Sequence, residues 1–198
     1  MSSPLLAARG LRPAGGWVYP TAMLISLAVA VLVQGGTPSW IPPYNPSGPV
    51  VEVTVEGRGT FRITTDPKTS PKTVEHILSL VRNGFYDRQR VHRVEYWVTQ
   101  WGAPASKDKP IDSDEVLGGG SGKQLPFEMS DVDFVRGIVG LASTGLQVGG
   151  DSQLFIIKQD RLYLWRSYAV VGKVTQGMDV VDRIQRGDRL TRMRVLSK

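Results

Sequence analysis

Two five-residue segments in which apolar and polar residues alternate, Val51–Val55 and Thr60–Thr64, flank the sequence Glu56-Gly57-Arg58-Gly59. Period two around a glycine-rich break reads as a β-hairpin. A hairpin alone is marginally stable in water, so this opening commits the chain to further strands that cover its apolar face. Candidates follow at Arg90 to Glu95, Tyr96 to Trp101, Ile138 to Ala142, Gln153 to Ile157, Ala169 to Val174 and Arg192 to Leu196. Only two stretches have helical spacing. In the first, Ser70 stands as N-cap and Pro71 at the first helical position; Val74, Ile77, Leu78 and Val81 follow, and Asn83-Gly84 closes the turn. The second, Met178 to Arg186, sets Met178, Val181 and Ile184 toward a core. Many short strands with two helices imply a closed antiparallel barrel or a sandwich.

With 198 residues, 41% of them apolar, the chain is long enough for one well-buried domain with residues left over. The surplus is N-terminal. Arg9 and Arg12 precede an uncharged run from Trp17 to Val33, after which Gly35, Gly36 and Pro38 break any helix. Seventeen residues reach roughly 25 Å, a little short of the ~30 Å hydrocarbon core. The run reads as a single-pass anchor with its N-terminus inside, the arginines lying before it and none just after. A secretory signal cleaved near Ala28 or Ala30 is the alternative; the anchor is favoured because that site falls within the apolar run. A buried core helix fits less well, since nothing polar marks a solvent face. The expected organisation is a basic segment (1–16), an anchor or signal (17–34), a Pro/Gly-rich linker (35–49) and a domain (50–198), the domain working outside the cytoplasm.

The absence of cysteine excludes disulfides, zinc-thiolate sites and thiol catalysis. The formal charge of +6 includes Arg9 and Arg12, and the densest basic stretch, Arg183 to Arg194, is interleaved with Asp182 and Asp188. It reads as a solvated surface rather than a nucleic-acid face. Gly118 to Lys123 resembles a phosphate loop but lacks the required glycine at Leu117 and the hydroxyl at Gln124. His76 and His92, without clustered carboxylates, make no metal site, and no nucleophile motif accompanies them.

The chemistry is concentrated elsewhere. Phe85-Tyr86-Asp87, His92-Arg93-Val94 and Trp97-Val98-Thr99-Gln100-Trp101-Gly102-Ala103-Pro104 are followed by Arg136-Gly137-Ile138-Val139-Gly140-Leu141-Ala142 and Asp151-Ser152-Gln153-Leu154-Phe155-Ile156-Ile157. In this order they resemble the cyclophilin family of peptidyl-prolyl cis/trans isomerases over about Val50 to Val195. The resemblance implies a closed eight-stranded antiparallel β-barrel capped by two α-helices. It also implies rotation of X-Pro bonds, with no cofactor and no metal, in proline-containing polypeptides. Arg93 aligns with the family's catalytic arginine and Gln100 with the glutamine that binds substrate backbone and steadies it. Trp97, Leu141, Phe155 and Tyr163 align with pocket residues. Ala142 and Ser143 match the segment that pairs with the bound peptide, Gln153 the glutamine of the G-S-Q-F-F-I motif, and Tyr168 a position that is histidine in some members.

Several positions depart from the family pattern. One residue is missing between Val94 and Trp97, where the family has a Pro-Gly or Pro-Asn bend, and Trp97 exceeds the usual phenylalanine in size. Trp101 occupies a position that is ordinarily glycine and has to avoid positive φ. One extra residue lies between Ala142 and Gln153, and Asp151 replaces a glycine. Such changes can lower turnover without disturbing the fold, because rate depends on donor placement. The expected function is therefore an extracytoplasmic prolyl isomerase acting as a monomer. The alternatives are a catalytically weak proline-peptide binding module or chaperone, and a structural subunit of a membrane complex.

Overall fold

The computed structural model describes residues 40–197. The basic segment, the apolar run and the first part of the linker lie outside the described residues. Among those described, no helix is long and apolar enough to cross a membrane.

The strands are β1 (Val50–Val55), β2 (Gly59–Thr65), β3 (Arg93–Val94), β4 (Val98–Trp101), β5 (Ile138–Leu141), β6 (Leu154–Ile157), β7 (Val170–Gln176) and β8 (Leu190–Val195). They form one antiparallel sheet in the order β3-β4-β6-β5-β7-β2-β1-β8. The sheet closes where the chain before β3 meets the chain before β8. Arg88 N–H donates to the Leu190 carbonyl and Leu190 N–H to the Gln89 carbonyl, both at 2.8 Å, and Arg90 bridges Arg189. Closure leaves no long unpaired edge. It also explains why the strand expected from Arg90 to Glu95 is confined to Arg93–Val94: residues 88–91 are occupied with the β8 side.

The interior is filled from both strands and helices. Val51, Val53, Phe61, Ile63, Val139, Leu141, Leu154 and Ile156 pack with Val74, Ile77, Leu78 and Val81 of helix α1 (Pro71–Arg82). Val180 and Val181 of helix α3 (Met178–Arg183) and the following Ile184 join the same cluster, so two helices cap the barrel as expected. A single helical turn, α2 (Asp114–Leu117), lies in the long β4–β5 connection and had no clear signal in the sequence. Helix α3 stops three residues before Arg186. Ile184 leaves helical geometry and is buried, while the Asp188 carboxylate takes the Gln185 N–H at 2.7 Å and the Arg58 guanidinium.

Because neighbouring residues of a strand face opposite ways, a second apolar cluster forms on the outside. Val98, Ile138, Phe155, Ile157 and Val170 gather there with Phe134 and Leu164. Ile41 packs into this cluster, Tyr44 Oη donates to Asp66 at 3.0 Å, and Lys173 Nζ donates to the Tyr44 carbonyl. The described part of the expected linker is thus bound to the domain. The C-terminal arginines are tied to the surface: Arg183 pairs with Asp179, Arg186 with Asp112 and Arg194 with Glu52.

Ser70 occupies the N-cap position of α1, but its buried hydroxyl makes no capping bond. Glu128, 56 residues away from Lys72, caps instead, accepting the N–H groups of Lys72 (3.0 Å) and Thr73 (2.7 Å). A carboxylate at a helix N-terminus also meets the positive end of the dipole. Glu128→Ala should therefore cost about 1–2 kcal/mol, read as a lowered urea midpoint, whereas Ser70→Ala should cost less.

Candidate active site

Between β3 and β4 the Glu95–Val98 pair closes a two-residue turn, Tyr96 and Trp97; Glu95 N–H donates to the Val98 carbonyl at 2.9 Å. This tight hairpin is how the chain accommodates the missing residue. It sets Arg93 directly opposite Gln100 across the ladder. Arg93 Nη1 donates to Gln100 Oε1 at 3.3 Å, and Gln100 Nε2 donates to Gln153 Oε1 at 2.7 Å. Gln153 in turn donates to the carbonyls of Leu117 (3.1 Å) and Gly119 (2.8 Å). At the other end, Arg93 Nε donates to Glu95 Oε1 at 2.7 Å, and Glu95 Oε2 accepts Trp97 Nε1 at 2.8 Å. A continuous polar rail thus runs from the glycine-rich loop to the hairpin turn, with the Arg93 guanidinium near its outer end.

Beside that guanidinium lies a hollow of ≈ 130 Å³ lined by Arg93, Trp97, Val98, Gln100, Ala142, Ser143, Phe155, Leu164 and Tyr168. Its aromatic wall is fixed by packing. Phe155 meets Tyr168 edge-on at 5.3 Å between centroids and stacks on Phe134 at 5.9 Å. Gly140 pairs with Phe155 across β5 and β6, and a Cβ there would collide with the Phe155 ring. The Arg93 guanidinium carbon lies 5.3 Å from the Trp97 ring centroid, within cation–π range.

Seven of the ten residues expected at the site line this hollow: Arg93, Gln100, Trp97, Ala142, Ser143, Phe155 and Tyr168. Gln153 lies behind them, in the rail and in a neighbouring recess of ≈ 250 Å³ shared with Gln100, Ala142 and Ser143. Leu141 does not line the hollow. It pairs with Leu154, so both side chains turn into the barrel interior, where Leu141 is 1% exposed. Tyr163 stands 72% exposed on a 3-10 turn (Leu162–Leu164) and is not part of the lining; Leu164 of the same turn is. The sequence reading missed Val98 and Leu164 as pocket residues and Glu95 as a partner of Arg93. Val98 is next to Trp97 in sequence, but nothing local distinguishes Leu164 from Leu162.

The other departures are absorbed. Trp101 is fully buried inside the barrel, edge-on to Phe61, and positive φ (+124°) falls on Gly102 instead. Asp151 clamps the glycine-rich loop: its carboxylate accepts the N–H groups of Ser121 (2.9 Å), Gly122 (2.7 Å) and Lys123 (3.2 Å). Those amides, which a phosphate would need, are already engaged. Ser121 Oγ and the Asp151 carboxylate both approach the same ring nitrogen, Nε2, of His76. A charge-relay assembly requires them on opposite nitrogens.

His92 is 3% exposed beside Arg93. Burial, reinforced by the Arg93 and Arg186 charges and opposed by Gln153, holds its pKa down at about 4. The imidazole is thus neutral at physiological pH.

The model of the family described as "Cyclophilin type peptidyl-prolyl cis-trans isomerase/CLD" matches residues 50–197. A probable peptidyl-prolyl cis-trans isomerase of Brucella abortus (strain 2308) is 42% identical over 125 residues, 61% of this chain and 64% of the relative. The chain therefore spans slightly under two thirds of that relative's length. A peptidyl-prolyl cis-trans isomerase of Synechococcus elongatus is 27% identical over 143 residues, 71% of this chain and 92% of the relative. Among solved structures, a cyclophilin type peptidyl-prolyl cis-trans isomerase of Cryptosporidium parvum superposes with a TM-score of 0.64 at 18% identity, covering 77% of this chain and 99% of that one. The same Cryptosporidium protein has also been crystallised in the presence of the dipeptide Ala-Pro.

A neutral buried histidine makes stability depend on pH. Its folded pKa of about 4 lies below the ordinary 6.5, so the unfolded chain binds more protons between those values. Stability should be complete above pH 6.5 and fall as pH drops toward 4, by on the order of 2–3 kcal/mol from this group. Urea titrations at pH 7 and pH 5 measure it, and His92→Gln should flatten the difference.

Proposed function

Because the chain belongs to the cyclophilin-type peptidyl-prolyl cis-trans isomerase family, matched over residues 50–197, we propose that it catalyses rotation about X-Pro peptide bonds of polypeptide chains. The barrier of ~18–20 kcal/mol arises from amide resonance. Lowering it requires neither nucleophile nor proton transfer, only a site that binds the twisted amide better than the planar one. The observation that carries the reading is the Arg93 guanidinium beside a hollow walled by Trp97, Val98, Phe155, Leu164 and Tyr168.

The proline ring fits the hollow among Trp97, Val98, Phe155, Leu164 and Tyr168, which removes it from water and holds it still. The rest of the peptide then rotates about the fixed ring. As the amide twists, its nitrogen loses conjugation and pyramidalises, and a guanidinium N–H can interact with the lone pair that results. Gln100 holds one edge of the guanidinium and is itself held by Gln153. Ala142 N–H already donates to the Gln153 carbonyl at 2.8 Å, so that N–H is not free to pair with a bound peptide.

The proposal extends to setting. The uncharged run Trp17 to Val33 behind Arg9 and Arg12 supports a membrane-anchored domain acting on chains that fold outside the cytoplasm. Mass spectrometry of the mature N-terminus tests this: residues 1–30 retained in a membrane fraction agree with an anchor, and a start just beyond Ala30 contradicts it. The short turn and the ion-paired Arg93 favour one second reading, a proline-peptide binding module with weak turnover.

A protease-coupled assay on Xaa-Pro peptides separates the two. Under the isomerase reading, Arg93→Ala lowers kcat/KM by roughly 10²–10³-fold, the usual loss on removing one transition-state donor. Peptide binding with no wild-type turnover would leave the binding module.

A further inference from the structure

Glu95 is the residue that the short turn brings to the guanidinium, and its carboxylate is fully engaged. One oxygen takes Arg93 Nε at 2.7 Å and the other takes Trp97 Nε1 at 2.8 Å. The two groups so joined both line the proline hollow, the guanidinium as donor and the indole as apolar wall. With Nε on Glu95 and one Nη1 hydrogen on Gln100, Arg93 is held at two points, leaving three of its five N–H groups for a substrate. A half-exposed arginine without such anchors distributes over many rotamers, and fixing it on binding costs conformational entropy.

Resting on the isomerase reading, we propose that Glu95 is a positioning residue for that reaction: it braces Arg93 and Trp97 against each other, so that the donor and one wall of the proline hollow are aligned before substrate arrives.

The charged groups around Glu95 suit this role. Arg93 holds its carboxyl below the usual carboxylate range, against a weaker effect of burial. Arg186 and His92 line with Glu95 a separate recess that shares Arg93 and Gln100 with the proline hollow, and Arg186 is itself paired with Asp112. Arg161 lies over the Trp97 ring at 5.1 Å and meets no carboxylate among the described residues, so Glu95 stays ionised in a cationic surrounding at neutral pH. The Arg93–Glu95 pair is over 40% exposed on both sides, and such pairs contribute little to global stability. Removing it leaves the barrel intact, which separates positioning from folding.

The test uses the described domain as part of the full chain, with Glu95→Ala, Glu95→Gln and Glu95→Asp. Thermal midpoints should stay close to wild type. For Glu95→Ala, kcat on an Ala-Pro peptide should fall about 10-fold with a smaller change in KM, since misplacement of a donor acts in the transition state. Glu95→Asp should recover more activity than Glu95→Gln, which keeps an acceptor but no charge. Nitrogen-edited NMR supplies a readout that does not need turnover. The Arg93 Hε and Trp97 Hε1 resonances should be exchange-protected in the wild type and lose that protection together in Glu95→Ala, with the other indoles unmoved. Wild-type kcat in Glu95→Ala, or unmoved Arg93 and Trp97 resonances, overturns the proposal. If the wild type turned over no peptide, the isomerase reading would fall, and the two resonances would still decide whether the brace exists.

Discussion

Adjacent residues of a strand cannot face the same side of a sheet, and the site depends on this constraint. In β6, Leu154 and Ile156 enter the barrel interior while Phe155 and Ile157 stand outside. In β4, Trp101 goes in and Gln100 comes out to meet Arg93. A solid interior is thereby the reverse side of the candidate site. The strands that carry Gln100 and Phe155 at the candidate site are pinned from behind by Trp101 and Leu154, which are buried in the interior.

Rigidity alone does not aim a guanidinium. Arg93 lies on a two-residue strand beside a tight turn, where packing is sparse, and its orientation comes from polar contacts on both sides. Gln100 and Gln153 tie it to the carbonyls of the loop at Leu117 and Gly119, and Glu95 ties it to Trp97. The glycine-rich loop is itself fastened by Asp151 through three backbone N–H groups. Two carboxylates, Glu95 in the shortened turn and Asp151 at a position that is glycine in the family pattern, thus take over the local geometry. The departures from the pattern replace one way of holding the site with another.

The hairpin and α1 were readable directly, since alternation, the Pro71 start and the Asn83-Gly84 stop are local signals. So was the set of outward side chains carried by motif, including Arg93, Gln100, Phe155 and Tyr168. What failed required knowledge of register. Leu141 is one residue from Gly140, which pairs with Phe155, and that single step turns its side chain into the core. Tyr163 and Leu164 share a turn whose hand decides which of them reaches the hollow. Ser70 looked like a cap because capping is usually local, whereas Glu128 arrives from a distant loop. In the Pro/Gly-rich linker, no local signal marks Ile41 and Tyr44 as the residues that fasten its described part to the domain. Nonlocal contacts of this kind leave no periodicity behind.

The central claim is that a guanidinium beside an apolar hollow accelerates rotation of a bound X-Pro bond. Exchange NMR on an Ala-Pro peptide with a small molar fraction of the protein tests it most directly. The account predicts magnetisation transfer between the cis and trans proline resonances within the mixing time, where free peptide shows none, accompanied by a shift of the Trp97 indole. A Trp97 shift with cis and trans signals that remain uncoupled would contradict it.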